Sequence, residues 1–195
     1  MIWRSKEMID EEFVVELSQK INELQEDEKL YWYFNSYGGE THVGFEVVDI
    51  INKNKDRIEL IASDNIFSTA FLIFFKAQCE RKILPLTFGM MHCASTSFEA
   101  KHEGKIAIFE KERRTKFLAV NEFLLNWCRD LGFTESELKK FKRAEDIHFD
   151  TKALHNLLEK STSATASKST VADDFEKNDI IQPQRPSEIE NENII

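Results

Sequence analysis

The sequence predicts an α/β fold built on a mainly parallel sheet, and three observations carry that prediction. Short aromatic or β-branched runs alternate with apolar residues at helical spacing through the first half of the chain. Strand–helix–strand order of this kind requires right-handed crossovers and so parallel pairing. Glycine is scarce, six residues in all, yet Gly38, Gly39 and Gly44 crowd together where a strand should hand over to a helix.

Each element has its own warrant. Asp10 can cap a helix that carries Phe13, Leu17, Ile21 and Leu24 on one face. Leu30-Tyr31-Trp32-Tyr33-Phe34 reads as a buried strand, because aromatic rings suit a pleated surface. A helix follows over Val43 to Asn52, then a strand over Ile58 to Ala62. The almost wholly apolar run from Ile66 to Lys76 reads as a second core helix. Arg81 to Leu84 and Gly89 to Met91 predict two more short strands. Beyond His92 the spacing of Ile106, Phe109, Phe117, Val120, Leu124 and Trp127 predicts one long amphipathic helix. Thr134 and Asp150 are placed to cap two shorter ones.

Composition bounds the rest. The 195 residues are 42% apolar, enough for one core, and carry a formal charge of −9. An acidic surface argues against non-specific nucleic-acid binding and against anionic lipid, since both need a basic face. The most apolar run, Ile66 to Phe75, is half the ~20 residues a membrane span needs. The N-terminus has no apolar stretch with a cleavage site, and Cys79, Cys93 and Cys128 are odd in number and scattered. A cytoplasmic protein without a disulfide framework or a zinc site is expected. Residues 1–160 read as the folded unit. Residues 161–195, opening with seven Ser or Thr in ten and continuing acidic, read as a flexible, disordered tail.

The candidate chemistry lies near the glycines. Gly38-Gly39 either makes a tight turn or opens a loop with exposed N–H groups; the Gly-Lys-Ser/Thr ending of a phosphate loop is absent. Ser68, beside the apolar helix, is either its cap or a nucleophile at a helix N-terminus, and the second role requires a base. His92 ends a strand-like run 24 residues later. The other histidines show no metal-ligand spacing, so no metal or cofactor is expected. Glu145 and Asp146 read as surface charges, either able to orient an imidazole.

Together these residues resemble the Clp protease proteolytic subunit family. Tyr33-Phe34-Asn35-Ser36-Tyr37-Gly38-Gly39, with Gly44 and Asp49 after it, is similar to that family's Asn-Ser-Pro-Gly-Gly loop and following helix. Ser68 falls at the family's nucleophile, and Arg81 to Leu84, Pro85 and His92 resemble its strand, proline and catalytic histidine. The likeness covers roughly residues 10–160. It implies a crotonase-like, ClpP-type spiral of β-β-α units with a long handle helix from about Lys105 to Asp130. It also implies a serine endopeptidase, a homo-oligomeric heptameric ring or two stacked rings, and a peptide or unfolded-protein substrate. The implied catalytic residues are Ser68, His92 and Asp146, with Glu145 as the other choice for the acid. Gly38 and Thr69 would supply the oxyanion hole.

Departures from the pattern are Tyr37 in place of the loop proline, Asp64 in place of a glycine, and a Ser68–His92 interval one residue short. Only 37 residues precede Gly38, so the segment lining the family's axial pore would be largely missing. That leaves coupling to an ATP-dependent unfoldase open. Two other functions fit the sequence: a catalytically silent ring subunit or scaffold beside an active paralogue, and an acyl-CoA enzyme of the related crotonase fold. The latter has no need of a Ser/His pair.

Overall fold

The computed structural model describes residues 1–5, 8–94 and 106–168. The strands are β1 (Ile2–Arg4), β2 (Met8–Ile9), β3 (Leu30–Ser36), β4 (Gly38–Gly39), β5 (Ile58–Phe67), β6 (Glu80–Ile83), β7 (Phe88–Met91) and β8 (Ile147–Phe149). The helices are α1 (Glu11–Asn22), α2 (Thr41–Lys53), α3 (Thr69–Lys76), α4 (Ile106–Asp130), α5 (Glu135–Lys142) and α6 (Thr151–Lys168). The main sheet runs β1-β3-β5-β7-β8, with β6 also paired to β5; every pairing is parallel except β7 with β8. A second, two-stranded sheet pairs β2 with β4 in parallel.

The expected caps are in place. Asp10 Oδ1 accepts the Phe13 N–H at 3.0 Å, and Asp150 Oδ1 accepts that of Ala153 at 2.8 Å. Thr134 and Glu137 form a reciprocal capping box at the start of α5. At the other end of α3, the Arg81 guanidinium donates to the Phe74 and Phe75 carbonyls, satisfying groups the helix itself cannot.

The core has two aromatic centres. Trp3, Phe13, Trp32 and Phe34 pack where β1 and β3 meet α1. Phe71 on α3 meets Phe75, Trp127, Phe133 and Phe149, joining the apolar helix to α4 and β8. Seven of the eight residues of α3 are buried, which is why its sequence lacks the alternation of a surface helix.

Three features differ from the sequence reading. The helix expected from Ile66 begins at Thr69, because Ile66 and Phe67 complete β5 and pair with Gly89 and Met90. A continuous apolar run does not distinguish a buried strand from a buried helix. The short strands β1, β2 and β8 lack alternation long enough to be read, and Gly38-Gly39 is itself a strand. Finally, α6 continues through Lys168, past the compositional boundary at 160. The Ile106 and Phe109 side chains, and the tail from residue 169 onward, lie outside what is described.

A bulge in β5 divides its neighbours in the sheet. The register jumps from Phe34↔Ala62 to Ser36↔Ile66, so β5 spends two extra residues there. Asn35 Oδ1 fills the gap by accepting the Asn65 N–H at 3.2 Å. Asp64 sits in the bulge, exposed, with φ +57°, a conformation natural to glycine and tolerated by aspartate. The bulge lets one edge of β5 serve two neighbours, β6 over Glu59–Ala62 and β7 over Asn65–Phe67. Buried Thr87 bridges the divide, its hydroxyl directed at the Ala62 and Leu84 carbonyls. On β6, Lys82 pairs with Glu59 at 2.7 Å and Glu80 pairs with Lys29 at 2.9 Å.

Burial pushes the Cys79 thiol up to about 11 and that of Cys128 up to about 12. Unfolding would return both to the ordinary thiol range. The native state therefore holds those protons more tightly, and stability is full below about pH 9 and falls as pH climbs towards 11–12. The expected outcome is a denaturation midpoint that declines above pH 9 and declines less in Cys79→Ala/Cys128→Ala. At pH 8 a thiol reagent modifies half-buried Cys93 in the native protein, and the other two only after denaturation.

Candidate active site

Ser68 stands between β5 and α3 with φ +54° and ψ −117°, a backbone conformation L residues rarely adopt. Both of its backbone groups are held. The N–H donates to the Met90 carbonyl at 2.7 Å, and the carbonyl accepts the Leu72 N–H at 3.1 Å. The side chain makes no cap bond to the helix it precedes. Instead Ser68 Oγ lies 2.8 Å from His92 Nε2, with His92 Nδ1 3.1 Å from Asp146 Oδ1. An aspartate carboxylate only accepts, so that contact assigns the ring hydrogen to Nδ1 and leaves Nε2 to accept from the serine hydroxyl.

The sheet delivers these groups. His92 is the first residue beyond β7, and Asp146 is the last before β8; since Met91 pairs with Ile147 across the antiparallel ladder, the two fall opposite each other. Glu145, the alternative acid, is turned away: its carboxylate pairs with Arg143 at 2.6 Å. His92 is half-buried and Asp146 exposed. Burial raises the pKa of the Cys93 thiol beside them, with Asp146 adding to the effect.

Gly38 lies against the serine. A Cβ there would come within 2.9 Å of Ser68 Cβ and 2.8 Å of the Phe67 carbonyl oxygen, and its φ is +103°. Gly44 is needed for a similar reason, since a Cβ would strike Thr69 Cγ2. Thr69 then fastens the two segments, its hydroxyl donating to the Gly39 carbonyl at 2.8 Å. One expected feature differs. The Gly38 N–H does not stand free beside Ser68; it donates to buried Ser36 Oγ at 3.0 Å. Tyr37, at the position of the missing proline, rests edge-on against Phe67, ring centroids 5.6 Å apart. Sequence reasoning passed over Ser36, although a serine two residues before a glycine turn is a known turn signal. It had no means of finding the Met90 carbonyl.

A narrow cleft opens at the serine, lined by Thr41, Ser68, Thr69, Leu72, Met91, His92, Ala94 and Leu124. Among the described residues no three His, Cys, Asp or Glu side chains converge as a metal site, and no helix is long and apolar enough to cross a membrane.

A mixed α/β fold on a mostly parallel sheet is the architecture of the crotonase-like class. Within that class the chain belongs to the Clp protease family, whose model matches residues 4–125. Its structure is similar to that of a point mutant of ClpP1 from Listeria monocytogenes, with a TM-score of 0.57 and 18% sequence identity over 80% of this chain and 86% of that one. Identity so low speaks to the fold alone. No curated protein matches the chain. Asp146 lies beyond the stretch matched by the family.

Removing the Thr69 hydroxyl tests the bolt between loop and helix. Thr69→Val is expected to lower stability by about 1 kcal/mol in chemical denaturation, and Thr69→Ser to recover most of it.

Proposed function

We propose that the chain is a serine-type endopeptidase of the Clp proteolytic-subunit type, cleaving peptide bonds with Ser68, His92 and Asp146. One observation carries the reading: the 2.8 Å approach of Ser68 Oγ to His92 Nε2, with Asp146 Oδ1 behind the ring. Ser68 attacks the scissile carbonyl as His92 takes its proton, and His92 later returns that proton to the leaving amine. Asp146 keeps the ring in the accepting tautomer and stabilises the imidazolium. The backbone N–H groups of Gly38 and Thr69 receive the oxyanion. For Gly38 this means exchanging its bond to Ser36 for one to the substrate oxygen. A preorganised donor of this kind is worth ~3–4 kcal/mol of barrier. The substrate is a peptide or an already unfolded chain, and the working form is a heptameric ring, single or stacked face to face.

The occupied Gly38 N–H favours a second reading, a catalytically silent subunit that keeps the fold and partners an active paralogue. A fluorophosphonate probe separates the two. The peptidase reading expects covalent labelling at Ser68 and none in Ser68→Ala; Asp146→Asn is expected to slow peptide turnover by roughly 10²-fold or more. A wild-type protein that neither labels nor cleaves, yet co-purifies with an active subunit, would establish the silent one. Light scattering is expected to give a mass several times that of one chain, and a monodisperse monomer would refute the ring.

A further inference from the structure

His92 is carried on a short span fixed at both ends. Met91, before it, is the last residue of the β7 ladder. Ala94, two residues after it, is held by a single side chain: Asn121 Oδ1 accepts the Ala94 N–H at 2.8 Å, and Asn121 Nδ2 donates to the Ala94 carbonyl at 3.3 Å. One carboxamide thus supplies the donor and the acceptor that a neighbouring strand would otherwise provide. His92 therefore lies one residue from the first anchor and two from the second.

The other end of this link is firmly seated. Asn121 belongs to α4, which docks on the body through buried Leu124 and Cys128. Phe123 meets Phe45 of α2 at 5.5 Å, and the Lys76 ammonium of α3 lies 4.9 Å from the Phe123 ring. Leu124, nearly one turn on from Asn121, lines the same cleft as Ala94, Ser68 and His92.

We infer that Asn121 is a positioning residue for His92, transmitting the seating of α4 to the imidazole through the Ala94 backbone. It touches no reacting atom. The inference deepens the peptidase reading and rests on it for its catalytic consequence, whereas the positioning itself is measurable without catalysis.

The test compares wild type, Asn121→Ala and Asn121→Asp, well below their melting temperatures, by two readouts. The first is the rate at which a small fluorophosphonate modifies Ser68, which needs alignment with His92 but no bound peptide. A misplacement of about 1 Å costs roughly 10²-fold, and Asn121→Ala is expected to slow labelling to that extent. The second is exchange of the imidazole C2 proton followed by mass spectrometry. It is expected to quicken several-fold at His92 and to stay unchanged at exposed His42. Asn121→Asp keeps the acceptor for the Ala94 N–H and loses the donor, so it falls between the other two. A lowered melting temperature with unaltered His92 exchange would overturn the inference, leaving Asn121 a simple fastening for α4. If wild type itself is not labelled, the peptidase reading fails, and His92 exchange still decides the positioning role.

Discussion

The structure depends on the backbone of one residue. Ser68 must turn the chain from β5 into α3 within a single left-handed step, and such a step costs of order 1–3 kcal/mol unless the surroundings over-determine it. They do so from three sides. β7 takes the N–H, the first turn of α3 takes the carbonyl, and Gly38 offers no Cβ to obstruct the approach. The hydroxyl makes none of the cap bonds that serine at a helix start usually provides. It is free to meet an imidazole instead.

How much of this was legible in the sequence follows from the range of the signals. Local rules found the caps at Asp10, Thr134 and Asp150, because a cap and the N–H it accepts lie three residues apart. The fold class was legible because helical and strand periods alternate strongly enough to survive without tertiary context. The end of β5 was not, since the buried run Ile66–Phe75 looks the same whether extended or helical. Strands of two or three residues, such as β2 and β8, are defined by their partners rather than by their own pattern.

The site divides along the same line. Ser68, His92 and the glycine pair could be marked by family likeness, but Asp146 and Glu145 could not be told apart. They are adjacent residues just ahead of β8, and spacing alone does not say which of the two falls opposite His92. In the structure Glu145 pairs with Arg143, whereas Asp146 faces the His92 ring. The bond between Gly38 and Ser36 lay within reach of a local rule, since a serine hydroxyl can accept the N–H two residues on.

The charges on β6 bear on how copies of the chain can meet. Among the described residues β6 pairs only with β5, so its far rim has no partner strand. Glu80, Arg81 and Lys82 stand in succession along it, tied to Lys29 and Glu59 or folded back onto α3. A strand from another molecule adding there would strip water from these ions and disturb their pairings. Runaway edge-to-edge stacking is disfavoured at this border.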